Sequence, residues 1–162
     1  MTAADRFRGW IASQFGSGGD AELGVDPRVD TLTTRLNASV LQMTATTADA
    51  TPTELLRVDN GGRMTLADGT AHGFSILITG TKVSGGAVVA TQLYRIEGVG
   101  SRGTGAASVA VGTGEQLRLD PIGAQPFGAP TVDADTTDGA VRFKVTGLAA
   151  TNITWAATLI WA

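Results

Sequence analysis

The sequence predicts an all-β fold, an antiparallel β-sandwich of jelly-roll-like type, preceded by a short helical segment. Three observations carry this. From Ala38 onward apolar and polar residues alternate with period two in run after run, which puts each set on one face of a strand. The runs recur about every ten residues with turn-forming residues between them, the spacing of a sandwich. No helical periodicity interrupts them, so a parallel βαβ sheet is disfavoured. Composition agrees, since 22 of the 162 residues are glycine and only 6% are aromatic, a mixture that suits short strands joined by tight turns.

The chain divides into residues 1–42, an attachment segment and connector, and residues 43–162, the β-sandwich domain. In the first part Phe7, Trp10, Ile11 and Phe15 fall at i, i+3, i+4 and i+8, a helical face about three turns long. The run Gly16 to Gly19 ends it as a turn or hinge. A helix this short is marginal in water, so its apolar face needs a surface to pack on. That surface is either the body of the same chain or a larger assembly; Arg6 and Arg8 give too little basic character for a membrane-surface helix. Asp26 then caps a second short helix with Pro27 in its first turn. Val29, Leu32 and Leu36 continue it for fewer than two heptads, which reads as a connector, or as one short helix bringing three chains together.

Strands are expected at 39–46, 54–58, 74–82, 88–99, 108–111, 115–119, 131–134, 141–146 and 153–160. The separators start at Asp59, Ala67, Ser84 and Gly112, each rich in Gly, Asp or Asn. Asp138-Gly139 supplies the turn before the strand at Val141, and Gly147 to Asn152 the turn after it, so the chain should close with a meander of hairpins. On the final strand Trp155, Leu159 and Trp161 share one face while Ala156 and Ile160 lie on the other. A strand apolar on both sides must be covered twice, by the opposite sheet and by a second subunit or layer.

A chain of this length buries roughly 70% of its extended surface when compact and needs no staples. It has no cysteine, which removes disulfides, thiolate metal sites and cysteine nucleophiles together. A net charge of −3 gives no broad attraction to nucleic acid or to an anionic membrane. No run approaches the length of a membrane span, and the N-terminus lacks the apolar core of a signal peptide, so neither membrane insertion nor classical secretion is expected.

Chemistry-bearing residues are sparse. His72, the single histidine, stands in a turn-like GTAHGF context where exposure is the default and no nucleophile or orienting carboxylate accompanies it. Asp133, Asp135, Asp138 and Gly139 have the wrong spacing for an EF-hand calcium loop, and no bidentate Glu follows. The glycines from Gly100 to Gly105 lack the Lys-Ser or Lys-Thr of a phosphate loop. Arg95 and Glu97 share one face of a strand, where a cross-strand ion pair is the simplest role. Asn37 and Asn152 open glycosylation-type triplets that, without a secretory route, are chance matches. No cofactor, metal or catalytic set is expected.

An ordered series of segments resembles a known family: ATPTEL from Ala50, GTAHGF from Gly69, YRIEGVGSRG from Tyr94, DADTTDGAVRFKVTG from Asp133 and NITWAAT from Asn152. Together they are similar to the C-terminal β domain of structural and fibre proteins of tailed bacteriophages, over about Met43 to Trp161. The pattern departs from that family before Glu97-Gly98, where Leu93, Tyr94 and Ile96 displace the expected aromatic, and after it, where the basic pair is reduced to Arg102. The resemblance implies a non-enzymatic, homotrimeric virion protein. Its partners would be capsid, neck or tail proteins. The expected role is a decoration held to the particle by Phe7, Trp10, Ile11 and Phe15, with Trp155, Leu159 and Trp161 in the core or at the subunit contact. The alternative is a short head or tail fibre whose β domain binds a host surface glycan or protein. A polysaccharide hydrolase would need two carboxylates about 5 to 10 Å apart, and no such pair emerges from the sequence.

Overall fold

The computed structural model describes residues 40–118, 122 and 127–161. The expected N-terminal helix with Phe7, Trp10, Ile11 and Phe15, its glycine hinge, the Asp26 cap and Asn37 lie outside the described residues. Ten strands make up most of what is described: β1 (Val40–Thr47), β2 (Pro52–Glu54), β3 (Leu56–Arg57), β4 (Met64–Thr65), β5 (Thr70–Ser84), β6 (Ala87–Arg102), β7 (Val109–Arg118), β8 (Gly128–Asp135), β9 (Ala140–Thr146) and β10 (Ile153–Trp161). One 3-10 turn, Ala106–Ser108, precedes β7, and there is no α-helix among the described residues. The fold is all-β and every strand pairing is antiparallel.

Two sheets form. The larger has six strands in the order β3-β1-β10-β5-β6-β7; in the smaller, β9 is central, with β8 on one side and β2 and β4 along the other. First and last strands pair, β1 with β10, and the next pair inward, β2 with β9, sits in the other sheet. The middle of the chain runs instead as a β5-β6-β7 meander.

Period-two alternation decides which side chains enter the space between the sheets. Ile76 and Ile78 of β5, Tyr94 and Ile96 of β6, and Ile153, Trp155 and Leu159 of β10 point inward from the large sheet; Val141, Phe143 and Val145 of β9 meet them from the small one. The rings of Phe74 and Phe143 meet edge to face with centroids 5.3 Å apart, so the sheets touch through aromatics. Trp155 is wholly buried, and its indole N–H donates to Thr47 Oγ1 at 3.0 Å. The Tyr94 hydroxyl donates to the carbonyl of Phe127 at 2.9 Å.

Glycine makes room for these rings. Gly80 is the direct cross-strand partner of Trp155, and Gly98 that of Phe74. A Cβ at Gly80 would lie 2.6 Å from Cζ3 of Trp155, and one at Gly98 would lie 2.5 Å from Cζ of Phe74. The large side chain of each pair occupies the volume that the small one leaves.

Several local expectations change. The turn from Gly147 to Asn152 does not close a hairpin: β9 belongs to the small sheet and β10 to the large one, so the chain crosses between layers there. Leu148 and Thr151 bridge around the bend, with Ala150 at φ 54°. The strand expected at 54–58 splits at Leu55, a fully buried residue whose N–H reaches the carbonyl of Phe143 at 2.8 Å, so that β2 and β3 serve different sheets. The expected separator at Gly112 is no turn. β7 runs through it, because a register shift opposite Ile96–Gly98 absorbs the extra residues and Gly98 lets the carbonyl of Gly112 approach closely.

Candidate functional site

The two outer faces of this body differ sharply in chemistry. On the large sheet, register aligns outward residues of separate strands into ranks. Thr46, Thr154, Thr81 and Thr91 form one rank across β1, β10, β5 and β6. Leu56, Thr44, Ala156, Thr79 and Leu93 form the next. Then come Gln42, Thr158, Leu77, Arg95 and Leu117, and finally Val40, Ile160, Ser75 and Glu97. None of these residues is buried, and Leu77 and Ile160 are 44% and 53% exposed.

Two of the hydroxyls on this face are bonded within the chain. The hydroxyl of Thr44 donates to the carbonyl of Trp155 at 3.0 Å, and that of Thr158 to Gln42 Oε1 at 3.2 Å. Arg95 and Glu97 are the only charged residues of the four ranks, and they pair with each other along β6. The expected cross-strand partner is thus replaced by the neighbour two residues on. Covering the methyls and aliphatic side chains of this face is favourable, and it is offset in part by the cost of desolvating those hydroxyls that a partner leaves without a hydrogen bond.

The small sheet presents the opposite character. Arg142 Nε and Lys144 Nζ each lie 2.6 Å from a carboxylate oxygen of Asp133. Burial pushes the Asp133 carboxyl up, but the hydrogen bonds from Lys144 and Arg142 outweigh it and leave its pKa below the ordinary value. Asp135 is buried in the β8–β9 turn, where its Oδ1 accepts from the N–H groups of Thr137 at 3.0 Å and Asp138 at 3.3 Å. The Thr137 N–H is the chief reason its pKa is lowered. Arg63 joins this turn to β2: its Nε is 2.9 Å from Glu54 Oε1, and its Nη1 pairs with Asp138 and lies 3.1 Å from Asp135. The hydrogen bond to Glu54 raises the Arg63 pKa first of all.

An open cleft of about 540 Å³ lies beside Arg63, lined also by Leu56, Gly61, Gly62, Thr65 and Asp138. Its one cation is committed to three carboxylates, so an anionic ligand would have to displace an ion pair. Asp133, Asp135 and Asp138, weighed above as a calcium loop, are held by Arg142, Lys144 and Arg63, and among the described residues no group of acidic or histidine side chains could hold a metal ion.

Other singled-out residues find structural places. His72 is not in an exposed turn. It sits half-buried in β5 with its ring stacked on Trp161 at 5.3 Å, because β5 begins at Thr70, four residues before the strand expected from Phe74. Trp155, Leu159 and Trp161 lie in the core of their own chain. Gly100 is a socket beside Val141 and Trp161 rather than part of a phosphate loop. Arg102, in the segment where the phage pattern is reduced, donates to the carbonyl of Leu66 at 2.7 Å and lies 2.7 Å from Asp68, closing the end of the sandwich. Asn152 stands in the crossover before β10.

The sequence reading missed the Thr ranks, the Arg63 hub and the glycine sockets. Thr-x-Thr at 44–46 and 79–81 was the visible signal for the first; the other two depend on partners far away in sequence.

No family model matches the chain, and no curated protein matches it. Among solved structures it is similar to the tailspike protein of Acinetobacter baumannii phage AM24, at 12% identity and a TM-score of 0.40, over 78% of this chain and 27% of that one. It is also similar to the tailspike protein of Acinetobacter phage vB_ApiP_P1, at 9% identity and a TM-score of 0.34, over 91% of this chain and 24% of that one. The chain thus spans about a quarter of the length of either. Likeness at this level carries no conclusion about what this chain does.

Proposed function

We propose that the protein is a non-enzymatic structural component of a tailed-phage virion, a homotrimeric β body that assembles through the outer face of its six-stranded sheet. The residues Phe7, Trp10, Ile11 and Phe15 anchor it to capsid, neck or tail proteins in this reading. The observation that carries it is the contrast between the two outer faces. Seven charged side chains, Glu54, Arg63, Asp133, Asp135, Asp138, Arg142 and Lys144, cluster around the small sheet, while the four outward ranks of the large sheet hold one self-paired couple among Thr, Ser, Gln, Ala and aliphatic residues, with Glu115 exposed beside them on β7.

Size supports the same reading. Five strands at about 4.8 Å and four ranks at about 6.7 Å make a face of roughly 650 Å², close to the approximately 800 Å² per partner of a stable protein interface. The ordered phage-like segments, from ATPTEL at Ala50 to NITWAAT at Asn152, support the virion setting of this reading.

Sedimentation of the full chain tests the reading. The wild type should run as a trimer at micromolar concentration, and Leu77→Lys with Ile160→Lys should run as a folded monomer, because both side chains are exposed within one chain. Deleting residues 1–19 should leave the trimer intact but absent from particles. A monomeric wild type would overturn the assembly reading, and normal incorporation of the truncated chain would overturn the anchor.

A further inference from the structure

We infer that the end of the β5–β6 hairpin is an assembly arm that packs its valines on a neighbouring copy of this chain. β10 accompanies β5 only as far as the Ile153↔Lys82 pair, and β7 accompanies β6 only from Tyr94 onward. Among the described residues, no strand flanks the segment from Val83 to Val89 on either outer side; the nearest pairing is the single bridge between Thr91 and Ile122 at its base.

A two-stranded ribbon that no described strand flanks is marginal in water by itself, and such a projection normally carries charge that keeps it soluble and unpaired. This one carries none between Val83 and Val89, and Val83, Val88 and Val89 are 51%, 63% and 44% exposed. Its tip is nevertheless specified. Gly85 and Gly86 have φ of 58° and 80°, the pair of left-handed residues that a two-residue type I′ hairpin turn needs, so the ribbon is held as a defined element. A register shift between Lys82 and Val83 adds local twist where the ribbon leaves the sheet.

The occupant is a second copy because the ribbon begins where the Thr46–Thr154–Thr81–Thr91 rank ends. Thr81 and Thr91 are partners in β5 and β6, and Val83 and Val88 pair just beyond them, so the arm continues the strands of the uncharged face. Covering that face by self-association brings a neighbour alongside the arm, and an uncharged surface is the chemical match for its valines. This inference rests on the self-association proposed above.

The full-length chain serves for the test. Replacing Val83, Val88 and Val89 together by Thr keeps β propensity, removes apolar area and should weaken association about a hundredfold or more with the circular dichroism unchanged. The chain has no cysteine, so a spin label at Val88→Cys reports one site. Its spectrum should be immobilised in the oligomer and mobile when the same label is placed in the Leu77→Lys, Ile160→Lys background. Undiminished association of the triple-Thr variant, or a label equally mobile in oligomer and monomer, would overturn the arm while leaving the sheet-face reading in place. A wild type that stays monomeric would overturn both.

Discussion

Replacing Gly80 by Ala adds one methyl group at the most crowded point of the core. Its Cβ would stand 2.6 Å and 2.8 Å from two indole carbons of Trp155 and 2.8 Å from Cδ2 of Phe127. Neither ring can retreat cheaply. Trp155 is fully buried and fixed by its N–H bond to Thr47, and Phe127 meets it edge to face at 5.6 Å with its own carbonyl held by Tyr94. Overpacking of this kind costs about 1–3 kcal/mol, while the reduced freedom of the unfolded chain on going from Gly to Ala returns about 0.4–1 kcal/mol. The net loss is about 1–2 kcal/mol, enough to lower the urea midpoint by roughly 0.3–2 M at an m-value of about 1–3 kcal/mol/M. Gly73 supplies the control. It lies on the same strand, and a Cβ there meets nothing within 4 Å. Gly73→Ala should therefore be neutral or slightly stabilising in the same urea titration. Equal midpoints for Gly80→Ala and wild type would refute the socket argument.

Two more predictions concern single contacts. Thr47→Val keeps the shape of a buried residue but leaves the Trp155 indole N–H without its acceptor, so it should cost about 1–3 kcal/mol in the same titration, and Thr47→Ser should recover most of it. Asp133, with its pKa lowered by Lys144 and Arg142 against burial, stabilises the fold fully above the ordinary carboxylate value of about 3.9 and progressively less as pH falls through its folded value. Thermal melts between neutral and acid pH should show a shallower acid limb for Asp133→Asn than for wild type, and identical limbs would remove Asp133 from the acid response.

Period two made the strands readable because it is a local property. The alternation of Val141, Phe143 and Val145 with Arg142, Lys144 and Thr146 is visible in six residues, and β9 follows it, buried side inward. The sheet that a strand joins is not local. Gly147 to Asn152 looks like a hairpin turn by composition, yet β9 and β10 each have one apolar face that needs the same core, and placing them in opposite layers lets both faces meet. Glycine was misread for a related reason. At Gly85 and Gly86 it does serve a turn, but at Gly112 and Gly114 it lies within β7 and at Gly80 beneath an indole ring. The residue that explains Gly80 is 75 positions away, so only register reveals it. The candidate face was half legible: individual Thr-x-Thr pairs are plain in the sequence, whereas their alignment into ranks follows from three separate strand pairings, β1 with β10, β10 with β5 and β5 with β6.

The two outer faces also make opposite predictions about salt. If copies met through the small sheet, contacts among Glu54, Arg63, Asp133, Asp138, Arg142 and Lys144 would hold them, and raising ionic strength from about 0.1 M to 1 M, which shortens the screening length from about 10 Å to 3 Å, would loosen the assembly. Contact through the large sheet involves Thr, Ala, Val, Leu and Ile, with Arg95 and Glu97 already neutralising each other within the chain. Screening then removes nothing, and a strongly excluded salt such as sulfate strengthens apolar contact. Sedimentation in sodium chloride should accordingly give a dissociation constant that is flat across this range, and sodium sulfate should lower it. A steep rise in the dissociation constant with sodium chloride would move the interface to the charged face.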